Sequence, residues 1–208
     1  MLGIFGNTPF CKRTPPRPQA CAADLVWWQQ LLSAPIPPHR LINPFDISDA
    51  YAFWDASTSV GIGICIGSKW RAWKLRSDWK RKHRDICWAE AVGFELLAIA
   101  LLTNSTDSHL IMYGDNQGVV EGWWNKHSNN PEVNLVFRRV HKLLSRTQST
   151  VYTRYVASAE NPADDPSRGV FPHISLLLPP VLIPAELQDV ILDYSHAELL
   201  AGSSSKPI

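Results

Sequence analysis

Four acidic residues occupy positions where the chain changes its local character. Asp55 and Asp115 end the apolar runs AYAFWD and HLIMYGD, Glu95 lies within the apolar stretch VGFELLAIA, and Asp164 opens the polar segment DDPSRG. Burying unpaired carboxylates costs free energy, so several of them converging on one place require compensating cations. Hard oxygen ligands suit Mg²⁺ or Mn²⁺. The pattern therefore predicts a divalent-metal site.

The elements that must position these acids follow from the hydrophobic pattern. Three apolar runs separated by short polar turns indicate three consecutive antiparallel strands. A helix that is apolar on most of its circumference comes next, followed by a short apolar strand, two further helices and a last strand. The predicted strands are residues 50–57, 60–67, 69–76, 109–114 and 149–158, and the predicted helices are 86–104, 117–127 and 131–147.

This order of elements fits an α/β fold with a mixed five-stranded sheet, three antiparallel strands and then two parallel ones, flanked by helices. If the first and fourth strands are neighbours, Asp55 and Asp115 meet at one sheet edge, with the first helix lying across it. Two metal ions about 4 Å apart at such an edge can activate a water and stabilise the leaving oxygen of a phosphodiester. Phosphodiester hydrolysis is the chemistry that the carboxylates favour.

The motifs DAS, GIGICIG, FELLAIA, YGDNQG and ENPADDPSRG, in this order between residues 49 and 169, resemble the ribonuclease H domain of retroelement reverse transcriptases of the long-terminal-repeat and DIRS types. The resemblance implies a ribonuclease H-like fold and cleavage of the RNA strand of RNA–DNA hybrids with two Mg²⁺ ions, Mn²⁺ being possible. It also implies a polymerase domain of the same polyprotein as partner. The implied catalytic residues and metal ligands are Asp55, Glu95, Asp115 and Asp164.

Two of these assignments involve a choice between neighbours. Glu90 lies on the same predicted helix as Glu95, five residues earlier, so the two side chains project about 140° apart and cannot both face one site. Glu95 is preferred because Glu-Leu-Leu-Ala matches the family motif. Asp164 is preferred to Asp165 for the same kind of reason, and Asp165 is left as a possible cap of the following turn. The histidine that cellular ribonucleases H often carry before the last aspartate is absent here.

A basic segment suggests where nucleic acid binds. Between residues 69 and 84 lie 8 of the chain's 20 basic residues, interleaved with Trp70, Trp73 and Trp79. Cations neutralise phosphates and aromatic faces stack on sugars or bases. An alternative is that the third strand is a charged edge strand whose tryptophans face inward. The predicted nucleic-acid-binding residues are Lys69, Arg71, Lys74, Arg76, Lys80, Arg81, Lys82 and Arg84, with Ser57, Asn116 and Gln117 nearer the metals.

The flanking segments carry less information. Residues 1–48 combine a proline-rich linker with a helix at DLVWWQQLL that resembles the end of a polymerase connecting region, and residues 170–208 form a proline-rich segment and a predicted C-terminal helix.

The four cysteines show no metal-ligand spacing and are expected to be reduced thiols. No apolar run is long enough for a membrane span, and no secretory signal is recognised, so an intracellular location in cytoplasm or nucleus is expected.

Two other functions fit parts of the pattern. A catalytically degenerate, nucleic-acid-binding copy of the domain would keep the basic segment without needing the carboxylates. A related integrase or transposase nuclease is less well matched, because those families place their glutamate after the second aspartate, whereas Glu95 precedes Asp115.

Overall fold

The computed structural model describes residues 18–33 and 46–202 of the 208-residue chain. The chain divides into two units, Met1–Ile42 and Asn43–Ile208. In the first unit, helix α1 spans Pro18–Ser33, where the sequence predicts a helix. Its apolar side chains Leu25, Trp28 and Leu32 are exposed. Residues 18 and 19, predicted as the end of a linker over residues 1–19, belong to α1, and the rest of that linker lies outside the described residues.

The second unit is built on a six-stranded mixed sheet in the order β5-β4-β1-β2-β3-β6. β1 pairs with β2 and β2 with β3 in antiparallel fashion, while β4 runs parallel to β1 and β5 runs parallel to β4. This confirms the predicted α/β class and the arrangement of its first five strands. The strands are β1 Ser48–Ala56, β2 Gly61–Ile66, β3 Lys69–Leu75, β4 His109–Gly114, β5 Thr150–Tyr155 and β6 Ile191–Asp193.

The sixth strand and its surroundings differ from the sequence-based expectation. The segment AELQDVILDYSHAELLA, predicted as one helix, contains a single 3₁₀ turn at Ala185–Leu187, then β6, then helix α6 at His196–Gly202. β6 pairs antiparallel with β3, so the third strand is not a sheet edge. An ion pair of 3.1 Å between Arg71 on β3 and Asp193 on β6 reinforces this pairing.

Three helices cover one face of the sheet. They are α2 Ile86–Leu102, α3 Gln117–Trp124 and α4 Pro131–Thr147. Their large side chains form the main core with strand residues such as Trp54, and Phe94 makes edge contacts with Trp123 at 4.9 Å between ring centroids. Aromatic pairs of this kind contribute about 0.5–1.5 kcal/mol each beyond the burial of their area. α2 is buried on most of its surface, as its composition predicts.

The opposite face of the sheet is covered by the chain that follows β5. Trp70 of β3 stacks on Phe171 with 4.9 Å between ring centroids and 9° between planes, and Leu199 of α6 is buried in the same cluster. The backbone N–H of Leu178 donates to the carbonyl of Trp70. The segment after Gly169 thus packs on the sheet of its own unit.

The ends of the helices follow capping chemistry. The Asp85 carboxylate accepts from the N–H of Trp88 at the start of α2, and the Asn130 side chain accepts from the N–H of Glu132 at the start of α4, where Pro131 occupies the first turn. Such caps satisfy backbone donors that lack a helical partner.

Among the described residues, no helix combines the length and the apolar character that crossing a bilayer requires.

Candidate metal centre

Asp55 and Asp115 meet because their strands are parallel neighbours. Trp54 of β1 pairs with Gly114 of β4, and each aspartate is the next residue along its strand direction. The close packing depends on glycine, because a Cβ on Gly114 would lie 2.3 Å from the Trp54 ring. The two predicted strand-end aspartates therefore lie together at one edge of the sheet.

The third carboxylate of this group is Glu90, from the second turn of α2. One carboxylate oxygen from each of Asp55, Glu90 and Asp115 lies within 4.8 Å of the others, a spacing that allows them to share a metal ion. Glu90 Oε1 accepts a 3.2 Å hydrogen bond from the Ala56 backbone N–H, which fixes the glutamate against the end of β1. Asp55 is 3% exposed and Glu90 4% exposed, so both charges are costly without a cation.

The predicted ligand Glu95 is not part of this group, and the preference for it over Glu90 is wrong. Glu95 forms a two-pronged ion pair with Arg139 of α4, with two hydrogen bonds of 2.6 Å from Nε and Nη2. Five residues along a helix rotate a side chain by about 140° and move it about 7.5 Å along the axis. Glu95 therefore faces α4 while Glu90 faces the strand ends.

The fourth predicted acid, Asp164, lies beside the group and outside its shared 4.8 Å spacing. It begins the short helix α5, Asp164–Ser167, and its carboxylate accepts from Arg168 Nε at 2.9 Å to each oxygen. Its charge helps to raise the pKa values of Asp55 and Glu90, which places it in their electrostatic field. Asp165 is exposed. Burial of the Cys65 thiol raises its pKa most, and the charge of Asp165 raises that pKa further.

The segment around α5 is fastened to β1 at Trp54 and at Asp55. The Asn161 side-chain amide donates to the Trp54 carbonyl at 2.9 Å, and the buried Ser167 hydroxyl donates to Asp55 Oδ2. These contacts explain why asparagine and serine occur in NPADDPSR. Sequence reasoning selected the motif but missed that Ser167 holds the Asp55 carboxylate.

Gly63 allows the α5 segment to lie close to the sheet. It pairs with Asp55 across β1 and β2 and has no side chain there. A Cβ at Gly63 would lie 2.6 Å from both the Ala163 carbonyl oxygen and the Ser167 nitrogen. We expect Gly63→Ala to push α5 away from the sheet and to destabilise the fold by roughly 1–3 kcal/mol, the usual cost of overpacking. Urea unfolding of the two proteins measures this difference. A variant as stable as the parent would contradict the packing described here.

The chemistry of the group fits a divalent cation. Burial, followed by the charges of Asp115 and Asp164, raises the pKa of Asp55 to about 6 against the lowering effect of Ser167. Burial and the charge of Asp55 raise the pKa of Glu90 well above its usual value. Glu90 Oε2 is buried and has no hydrogen-bond partner among the described residues. A buried carboxylate that has an unpartnered oxygen and is grouped with two further carboxylates is suited to Mg²⁺ or Mn²⁺.

This electrostatic arrangement predicts an unusual pH dependence of stability. Because the pKa of Asp55 is about 6 in the fold and 3.8 for an unperturbed aspartate, the folded chain binds more protons than the unfolded chain between those pH values. Without divalent metal, stability should fall by on the order of 3 kcal/mol as pH rises through this window, and Glu90 shifts in the same direction. Mg²⁺ should reverse the loss, because it binds the deprotonated carboxylates.

Thermal unfolding in EDTA and in Mg²⁺, at about pH 4.5 and about pH 7, measures this effect. Asp55→Asn is the control, since it removes one of the two titrating groups and should reduce the metal-free dependence to the contribution of Glu90. An identical pH dependence in parent and Asp55→Asn would contradict the account.

The predicted nucleic-acid-binding cations fall into two sets. Arg71 pairs with Asp193, Lys74 with Glu198 at 2.6 Å, and Arg84 with Glu132 at 3.6 Å, so these three tie elements of the fold together. The others are exposed: Lys69, Arg76, Lys80, Arg81 and Lys82. Trp70, Trp73 and Trp79 are buried in the cores, so the expectation that their faces are open to sugars or bases is wrong.

The three polar candidates near the carboxylates differ in availability. Ser57 is buried and its hydroxyl lies 3.3 Å from that of Ser59. Asn116 caps α3, its side-chain oxygen accepting from the N–H of Val119 at 3.2 Å. Gln117 is exposed at the first position of α3, directly after Asp115 and Asn116, and is the best placed of the three to contact a ligand.

Comparison with known proteins finds similarity only to solved structures. No protein-family model and no curated protein matches the chain. Among solved structures, it is similar to RNase H1 from the halophilic archaeon Halobacterium salinarum NRC-1, with 16% identity, a TM-score of 0.43, and coverage of 58% of this chain and 92% of that one. It is also similar to the N-terminal RNase H domain of a Mycobacterium tuberculosis protein, with 16% identity, a TM-score of 0.38, and coverage of 56% and 90%. Because one fold serves many functions, the function has to be sought in the side chains of this site.

Proposed function

We propose that this chain is a metal-dependent endonuclease that hydrolyses the RNA strand of RNA–DNA hybrids. The observation that carries the proposal is the convergence of Asp55, Glu90 and Asp115 at one sheet edge, with one Glu90 oxygen buried and without a partner in the described part of the chain. Structural acids are normally paired or solvated, as Glu95 is by Arg139. A buried acidic group without a protein cation is suited to a bound metal.

In this proposal Asp55, Glu90 and Asp115 hold one Mg²⁺ or Mn²⁺, and Asp164 joins Asp55 in holding a second. Bound there, the ions would lower the pKa of a coordinated water and offset charge on the phosphodiester. Ser167 orients the Asp55 carboxylate by occupying Oδ2. Asp164 must give up part of its pairing with Arg168, and this cost is small because Arg168 is 59% exposed.

The reaction is hydrolysis of a P–O bond of the RNA strand, which leaves a 5′-phosphate and a 3′-hydroxyl. Discrimination of RNA from DNA requires contact with the 2′-hydroxyl, for which Gln117 and Asn116 are the candidates beside Asp115. The motif order between residues 49 and 169 supports an origin in a retroelement polyprotein, with its polymerase domain as partner and an intracellular location.

Cleavage of a labelled RNA–DNA hybrid by the purified chain in Mg²⁺ and in Mn²⁺ tests the proposal. Single-stranded RNA, double-stranded RNA and double-stranded DNA of the same sequence should resist cutting. Asp55→Asn should abolish cutting, whereas Asp165→Asn, the same change at the exposed neighbouring acid, should not. Hybrid binding without any metal-dependent cleavage would favour the degenerate, nucleic-acid-binding alternative instead.

A further inference from the structure

A short basic loop connects β3 to α2. It comprises residues 76–84, and its cationic side chains Arg76, Lys80, Arg81 and Lys82 are exposed. The two acidic residues in and next to this loop already have partners. Asp78 pairs with Arg81 at 3.1 Å, and Asp85 caps α2. The loop therefore presents a net positive surface.

The sheet topology places this basic loop at the edge that carries the carboxylates. β2 is antiparallel to both β1 and β3, so the carboxyl ends of β1 and β3 lie at the same edge. Asp55 is near the end of β1, and the basic loop begins directly after β3. Two strand spacings separate β1 from β3, a distance of about 10 Å. Lys69 starts β3 and lies at the opposite edge.

The basic loop is anchored at several points. Trp79 is buried and stacks on Trp88 of α2 with 5.8 Å between ring centroids. The Asn130 amide at the start of α4 donates to the His83 carbonyl at 3.0 Å. Lys82 and His83 have φ angles of 56° and 64°, a left-handed turn that few side chains adopt without support from neighbouring structure. The cations are thus held on a fixed turn.

We propose that this basic loop binds the phosphate backbone of the nucleic-acid duplex whose strand is cut, on the flank of the carboxylate group. The proposal deepens the proposed function and rests on it for the identity of the duplex. A polyanion that approaches Asp55, Glu90, Asp115 and Asp164 meets a group of acidic side chains, so cations beyond the metals are needed to draw it in. Lys80 and Lys82 supply them from the loop that follows β3, at the carboxyl ends of the strands.

Binding of a fluorescently labelled RNA–DNA hybrid to the full chain, measured by anisotropy between about 50 and 200 mM salt, tests the inference. Lys80→Gln/Lys82→Gln should weaken binding by about tenfold or more at low salt and reduce the slope of log K against log salt by roughly 1–2, since each lost phosphate contact removes about 0.7–0.9. Lys142→Gln, the same change at an exposed lysine of α4, should leave both quantities near the parent values. In cleavage, the loop variant should raise KM and leave kcat within about twofold.

The outcomes separate this inference from the proposed function. Unchanged affinity and salt slope in the loop variant, or an equal loss in Lys142→Gln, overturns the inference whether or not the parent cuts hybrids. A parent that cuts no hybrid but binds it through Lys80 and Lys82 overturns the proposed activity and supports the loop. Far-ultraviolet circular dichroism and thermal unfolding verify that each variant is folded.

Discussion

Replacing Glu90 with glutamine should lower kcat/KM for cleavage of an RNA–DNA hybrid by on the order of a thousandfold, corresponding to about 4 kcal/mol of transition-state stabilisation. The substitution keeps the size and the hydrogen bond from Ala56 while removing the carboxylate charge that faces Asp55 and Asp115. Steady-state kinetics in Mg²⁺ and Mn²⁺ measure the effect. The loss should persist at saturating metal if the carboxylate is required in the reaction.

The matched control is Glu95→Gln, the identical change five residues further along the same helix. It should retain kcat/KM within a few-fold of the parent at temperatures where it is folded, because Glu95 contacts Arg139 rather than the strand-end aspartates. Glu90→Gln should also be at least as stable as the parent without metal, since it removes a buried acid whose pKa is raised by burial. Equal kinetic losses in the two variants would contradict the assignment of Glu90.

The second large effect concerns stability. Glu95 is 3% exposed and Arg139 is 22% exposed, and their ion pair joins α2 to α4 inside the main helix layer. Removing one partner leaves a largely buried charge, which costs about 3–5 kcal/mol in fully buried pairs. With Arg139 partly exposed, we expect Glu95→Gln to destabilise the chain by about 2–4 kcal/mol, which urea unfolding will measure.

A double-mutant cycle isolates the pair from other consequences of each change. Arg139→Gln alone should destabilise the chain, and the double variant should be more stable than the sum of the single effects predicts, with a coupling of about 1–3 kcal/mol. Single effects that add within about 0.5 kcal/mol would show that the ion pair is not the source of the destabilisation.

The positions of the two aspartates were predictable from the sequence because strand ends are marked by local signals. An apolar run that stops at an acid locates Asp55 and Asp115, and parallel neighbours bring the two together at one edge. The five main strands were predicted for the same reason, since alternation and turn residues act over a few residues. Asp164 was located by its motif.

The hydrophobic periodicity of α2 does not show whether Glu90 or Glu95 faces the two aspartates. Both lie on a helix that is buried almost all round, so the hydrophobic pattern gives no preferred face. A topological signal was nevertheless available. α2 follows β3, whose end lies at the edge of Asp55 and Asp115, so a residue in the first turns of α2 is near that edge and one about 7.5 Å further along is not.

The remaining errors arose from long-range packing. The sequence left open whether Trp70 lies at the surface or in a core. In the structure it is covered by the segment that carries Phe171, 101 residues later in the chain. β6 has three residues and exists because β3 offers an unpaired edge to it. Neither pairing leaves a local trace in the sequence.

The central claim is that Asp55, Glu90 and Asp115 hold a divalent metal. Anomalous diffraction from crystals of this chain soaked in Mn²⁺ tests it most directly. We predict an anomalous peak between these three carboxylates, with Mn²⁺ to oxygen distances of about 2.2 Å, that disappears in Glu90→Gln and persists in Glu95→Gln. The absence of a peak at this edge of the sheet in the parent, or a peak unaffected by Glu90→Gln, would contradict the claim.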